Sequence, residues 1–431
     1  MKNQKIVYLI IILTLFLLLS GWLFGFLVLY SMKGGGGDIL SQKQRSIIIY
    51  IADYPKQFLR AIKQITGKKF IINNQYSQLN DGYNHFQTKS LIPKGYFIKT
   101  SYDGKNADMY DFNNKLIKSW SLSNEDLKKF NLKKDTYINF IEFDKSTNSI
   151  IARSGIESGN VLFKIDKDSK VNWIYKSNTN YKGEFFHHDF SIDSDGNIYS
   201  PITKKNEKFS KYVNDFRDDG IIIIDKNGNK IFERYLSDIF INNNLQHLIF
   251  GVGPLEWDPF HLNDIEVAEE KSDFWKKGDL LLSLRHRSMI LIYRPSTDKI
   301  IWYKIGPWLN QHDPDFLDQN RISIFGNDVT SLSFNRRETD AKLVYDNNKI
   351  YIYDFEKNKT ISVYDNIINT NKEYTVTGGR HVWFDDNKLW LDFTNVGVIS
   401  IMNEENVIGK IINKNKNNET IYGSFLYVKN Y

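Results

Sequence analysis

Phe186-His187-His188-Asp189, then Asp193-Ser194-Asp195-Gly196-Asn197, then Ile198-Tyr199: this stretch reads as a strand carrying imidazole and carboxylate, a tight turn, and a second strand. The turn has a chemical basis. Asp and Asn side chains bond the backbone a residue or two further on, and glycine accepts a positive φ. Downstream, Ile221-Ile222-Ile223-Ile224-Asp225 adds a third strand, residues 225–229 a second turn, and Ile231-Phe232 an aromatic fourth. The same closing half recurs in Val161-Leu162-Phe163-Lys164-Ile165-Asp166 with Trp173-Ile174-Tyr175, and in Met289-Ile290-Leu291-Ile292-Tyr293 with Ile301-Trp302-Tyr303. About six units of this kind begin near residues 95, 137, 186, 260, 311 and 378.

Four-stranded units in series predict an all-β protein, a six-bladed β-propeller over residues 95–431. A β-sandwich is the structural alternative. Loop insertions account for the irregular spacing of the marked histidines, 73 residues from His188 to His261, 51 to His312 and 69 to His381. The two Asp/Asn/Gly turns look like calcium loops, but neither carries the twelve-residue ligand set ending in Glu, so hairpin turns are expected.

Composition agrees. The chain has 431 residues, 41% hydrophobic and 15% aromatic, enough for a large core. Its net charge of +6 comes from scattered rather than clustered Lys and Arg, which argues against nucleic acid as a partner. Cysteine is absent, which excludes disulfides, thiolate zinc sites and a cysteine nucleophile.

Residues 6–30 form an uncharged run of 25. As a helix it would be about 37 Å long, sufficient to cross a bilayer. With the glycines at 34–37, residues 1–37 read as a transmembrane anchor and hinge. Residues 38–94 are expected to be a helical membrane-proximal stalk, with one helix over 39–52 and another from the capping Asp53 to Gly67. Its apolar face suits the main domain, the lipid surface or a second copy, which leaves a homodimer as one partner reading. Lys2 and Lys5 face Lys33, Lys43 and Arg45 across the span. The reading taken is an internal N-terminus with the bulk exported.

His187-His188, His261, His312 and His381, five of the eight histidines in the chain, mark the starts of four units. In a closed ring, equivalent positions converge. Strand alternation sends His188 and Asp189, or His312 and Asp313, to opposite faces, whereas His261 and Asn263 share one. Arg285 returns to the same rim in the next strand, and His286 beside it is expected to point away. His381 fits the register less well and reads as structural, and His85 and His247 lie in ordinary loop contexts. Neutral imidazole is a nucleophile, imidazolium an acid, and arginine a planar fork for tetrahedral oxyanions. The set suits sulfuryl or phosphoryl transfer. Rival readings are a non-catalytic binder of a sulfated or acidic ligand or of a protein partner, and a histidine-ligated metalloprotein.

The ordered set His187-His188-Asp189, His261-Leu262-Asn263, Ser283-Leu284-Arg285-His286 and Gln311-His312-Asp313 resembles the bacterial arylsulfate sulfotransferases, best between about 180 and 330. The resemblance implies a periplasmic six-bladed propeller that moves a sulfuryl group from an aryl sulfate to a phenol through a sulfated histidine, with no cofactor and no metal. Together with the N-terminal anchor, which departs from the family pattern, this gives an inner-membrane, single-pass protein with the propeller on the periplasmic side. His312 matches the nucleophile. His261 and Arg285 match the groups that hold the sulfuryl oxygens and assist proton transfer. Asn263 matches an amide beside that histidine, and His188 or His187 a further site histidine, the choice between them open.

Overall fold

The computed structural model describes residues 2–32, 44, 47–48, 50–52, 71–73, 85–86 and 93–431, apart from 101–103, 135, 155–159, 177–184, 214, 332–340, 372, 385–386, 414–419 and 422–424. Two compact units divide near residue 70. In the first, Lys2–Met32 is one helix of 31 residues. Its Ile11–Val28 window has a mean hydropathy of 2.5, so it is long and apolar enough to cross a membrane. Residues 44, 47–48 and 50–52 are helical, inside the range of the first stalk helix. The second stalk helix, over 53–67, lies outside the described residues.

The second unit is a six-bladed β-propeller of antiparallel four-stranded sheets. Blade 1 joins Phe425–Val428 to Tyr96–Thr100, Asn106–Asp111 and Leu116–Ser121. Blade 2 runs from Phe140–Asp144 to Val171–Lys176, and blade 3 from the short strands Phe185–Phe186 and Ser191–Ile192 to Lys230–Tyr235. Blade 4 opens with Leu262–Val267, blade 5 with His312–Phe316 and blade 6 with Arg380–Trp383. The opening strands of blades 2 to 6 touch one another in turn around the axis. Separate sheets of this kind exclude the sandwich.

Two details differ from the sequence reading. The unit expected to begin near 95 starts at the second strand of its blade, because the inner strand comes from the C-terminal end. This closure pairs an edge that would otherwise template aggregation. Within the range read as helical stalk, Ile71–Asn73 and His85–Phe86 are strands, paired with Thr420–Ile421 and with the outer strand of blade 6. His85 therefore lies in a strand, and His247 opens the short helix His247–Phe250, so neither sits in a loop.

Apolar side chains form six clusters, one at each blade interface. The continuous apolar runs follow from this. Leu280, Leu282 and Leu284 face blade 3 while Leu281 faces blade 5. Ile221 and Ile223 pack toward blade 4, and Ile222 and Ile224 toward blade 2. Strands buried on both faces need apolar residues at every position, not at alternate ones. The turns behave as expected. Asp193 Oδ1 accepts the N–H groups of Asp195 and Asn197, and Asp225 repeats the pattern, with Gly196 and Gly228 at positive φ.

Candidate functional site

Five imidazoles meet at one end of the central channel. Ring centroids lie 4.0 Å apart for His187 and His188, 4.8 Å for His188 and His261, 4.2 Å for His261 and His286, and 5.8 Å for His188 and His312. His188 and His261 adopt positive φ where the inner segments begin, a conformation uncommon for non-glycine residues and concentrated at functional sites. Arg285 stands at the end of its strand, buried, with Nη1 3.4 Å from His286 Nε2 and Nη2 donating to Val376 O at 3.4 Å.

The chain dictates where the ring protons sit. Asn327 Nδ2 donates to Thr375 O and Gly378 O, so its Oδ1 must face His312. His312 Nδ1, 2.5 Å from that oxygen, therefore carries the proton, and the neutral ring keeps its lone pair on Nε2. His187 Nδ1 donates to Leu262 O at 3.2 Å and His286 Nδ1 to Asp258 O at 2.8 Å. His261 Nδ1 lies 2.7 Å from Asp258 Oδ2, a carboxylate acceptor. His261 Nε2 and His188 Nε2 then share one hydrogen bond of 2.9 Å.

Burial decides the charge states. It holds His312 well below the usual histidine range, with the Arg285 guanidinium as the next cause. Burial and then Arg217 do the same to His187, and burial and then His261 to His188. His286 falls to about 3 through burial and His261. Asp258 goes the other way. Burial would raise its carboxyl, but His261, His286 and Arg217 outweigh it and hold it below the usual carboxylate range. Asp219, whose Oδ2 accepts Leu262 N–H at 2.8 Å, is raised by burial and by the Asp258 charge. The pocket thus offers neutral imidazoles at His187, His188, His286 and His312 beside fixed guanidinium groups, a setting for a tetrahedral oxyanion.

Ring nitrogens of His187, His188 and His261 come within 4.8 Å of one another, close enough to ligate one ion. Arg153 and Arg217 both bear on His187 and His188, and their charges oppose a dication there while they attract an anion. The donor set therefore fits an anion better than a metal.

Further along the axis the lining changes sign. A cavity of about 420 Å³ is lined by Glu142, Asp264, Glu266, Asp313, Asp315 and Arg380, among others. Arg380 crosses it, with Nε 2.7 Å from Asp189 and Nη2 3.3 Å from Glu142. His381 has both ring nitrogens engaged, Nδ1 with Asp313 at 2.8 Å and Nε2 with Ser323 Oγ at 2.8 Å, as a structural residue would. Neighbours in sequence divide between the two: His188 and His312 enter the imidazole cluster, Asp189 and Asp313 the acidic shaft, with His188 and Asp313 at positive φ.

His187, His188, His261, Arg285 and His312 all reach the cluster, so the choice between His187 and His188 dissolves. Asn263 has a partner in the next blade. It is buried at a register shift in its strand, and its Nδ2 donates to Gln311 O at 2.8 Å, tying blade 4 to blade 5 beside His312. His286 does more. The strand stops at Leu284, and Arg285–Arg287 form a 3₁₀ turn, so period-two alternation no longer separates neighbours and His286 enters the site. Sequence reasoning missed Asp258, although the Asp258-Pro259-Phe260-His261 spacing offered a signal. It also missed Asn327, for which fifteen residues of separation left none.

A family model described as arylsulfotransferase (ASST) matches residues 156–414, more than half of the 431 residues. No curated protein matches the chain. Among solved structures, a protein of unknown function from Bacteroides caccae is similar at 11% identity and TM-score 0.49, over 78% of this chain and 99% of that one. Virginiamycin B lyase from Staphylococcus aureus is similar at 14% identity and TM-score 0.36, over 65% and 71%. A streptogramin B lyase is similar at 12% identity and TM-score 0.42, over 80% and 97%.

Proposed function

The chain belongs to the arylsulfotransferase family, and from that premise we propose that it moves a sulfuryl group from an aryl sulfate to a phenol through His312. The observation that carries this reading is the tautomer that Asn327 imposes. A buried imidazole held neutral, with its lone pair on Nε2 and Arg285 as neighbour, is a nucleophile waiting beside a cation that holds sulfuryl oxygens.

In the first half-reaction His312 Nε2 attacks sulfur. An N–S bond forms, the S–O(aryl) bond breaks, and its electron pair stays on the phenolic oxygen, which takes a proton from the His188–His261 pair. Asn327 Oδ1 keeps its hydrogen bond to Nδ1–H of the sulfated ring. In the second half an acceptor phenol returns that proton, its oxygen attacks sulfur, and the N–S electron pair goes back to His312. Arg285 faces the sulfuryl oxygens throughout. Phenols with a pKa of about 10 leave far more readily than alkanols, which favours aryl donors. The helix Lys2–Met32 would anchor the enzyme with its propeller on the periplasmic side.

The test uses the full chain in detergent, a chromogenic aryl sulfate and a phenol acceptor. Transfer with ping-pong kinetics, and an acid-labile sulfate label on the protein that vanishes in His312→Ala, is the expected result. Tight binding of the donor without turnover would overturn it.

A further inference from the structure

Behind the imidazoles stand two different supports. Asn327, neutral, backs His312. Asp258, only 1% exposed, backs His261 through Oδ2 at 2.7 Å. The segment around Asp258 is tied down on both sides. Trp257 O accepts Arg217 N–H, Phe260 O accepts His286 N–H, and His261 O accepts Arg285 N–H. Arg217 Nη1 stands 3.6 Å from Asp258 Oδ2, and His286 Nδ1 bonds the Asp258 carbonyl. The carboxylate therefore has one geometry, and it faces the nitrogen of His261 remote from the cluster.

We infer that Asp258 is the positioning residue that commits His261 to proton transfer with the phenolic oxygen, while His312 carries the sulfuryl group. The inference rests on the sulfuryl-transfer reading of this site. A carboxylate behind an imidazole stabilises the imidazolium and fixes its tautomer, whereas an amide fixes the tautomer alone. As the S–O(aryl) bond breaks, its electron pair remains on the phenolic oxygen, which accepts the proton from His261 Nε2. His261 returns to the neutral form with Nδ1–H still on Asp258, and the acceptor phenol restores the proton in the second half-reaction. No other reactant is needed.

The requirement for that proton scales with the basicity of the departing phenol. Full-length Asp258→Asn, assayed with phenyl sulfate and with 4-nitrophenyl sulfate, should lose about 100-fold in kcat for the first donor and less than about 5-fold for the second. In a His261→Gln background, Asp258→Asn should have no further effect, because the carboxylate acts through that ring. Equal losses with both donors, or losses that multiply in the double variant, overturn the assignment. If Asp258→Asn does not fold, His261→Gln alone must show the donor-selective loss, and an equal loss overturns the assignment again. No transfer by the wild type from either donor would remove the sulfuryl-transfer reading and this one with it. Active wild type with equal losses removes this one alone.

Discussion

Asp313 and His381, at the starts of neighbouring inner strands, are joined twice: Asp313 Oδ2 accepts the backbone N–H of His381 at 2.5 Å and its ring Nδ1–H at 2.8 Å. Asp313 holds a positive φ, so this double contact pins the backbone one residue after His312 in an uncommon conformation. His312 is held from behind by Asn327 and along its own chain by a residue that belongs to the acidic shaft.

Replacing His381 with Ala removes both ring bonds, leaves Asp313 Oδ2 with the backbone N–H alone and takes the ring partner from the buried Ser323 hydroxyl. A loss of about 1–3 kcal/mol of stability is expected, read by denaturant unfolding. Because His312 loses a constraint and substrate loses no contact, kcat should fall with KM little changed. A raised KM with unchanged kcat would count against this coupling.

Asn327→Leu removes the acceptor that holds the His312 proton on Nδ1, and transfer should fall about 100-fold while the propeller remains folded. Asn327→Asp tests the sign. A carboxylate there stabilises the His312 imidazolium and raises its pKa from its depressed position, so the neutral nucleophile exists only at higher pH. The acid limb of the rate profile should move upward, and a profile that stays in place refutes the tautomer argument.

Arg285 offers a planar fork as well as a charge. Arg285→Ala should cost about 100- to 1000-fold in kcat, and Arg285→Lys less, about 10-fold, since the charge remains and the bidentate geometry does not. Initial-rate kinetics on the purified variants separate the two.

Stability should fall as pH rises through neutrality. Burial raises Glu142 to about 7, and burial followed by the Glu142 charge raises Glu266 to about 8. A carboxyl raised in the folded state binds more protons folded than unfolded, so its stabilising contribution is present below the ordinary carboxylate range and lost as pH climbs to 7–8. The depressed histidines act in the opposite sense, but only below their ordinary value of about 6.5. Tm should therefore drop between pH 6.5 and 8, and Glu266→Gln should flatten that drop. A Tm that rises over this interval contradicts the shaft's charge state.

The repeat was legible because each blade needs the same local chemistry. The Asp/Asn/Gly turns and the doubly apolar third strands, such as 221–224 and 289–293, can be seen without partners. The ring closure could not be seen, because Phe425–Val428 pairs with Tyr96–Thr100 across the whole chain. His187, His188, His261 and His312 were readable as a set because they stand at matching points of successive units, and Arg285 because the next strand of the His261 unit returns to the same rim. His286 was misjudged because a 3₁₀ turn replaced the strand whose alternation had been assumed.

By itself, the order of residues determined the blade, the number of blades and which residue types would line the axis, since periodicity and turn chemistry act over a few neighbouring positions. The tertiary structure alone decided how the site is wired: Asp258 behind His261, Asn327 behind His312, and Arg380 among the shaft carboxylates. Those pairings depend on ångström-scale orientation between segments brought together by ring closure and loop packing, and on burial that strips water from them. Neither orientation nor desolvation leaves a periodic mark in a linear chain.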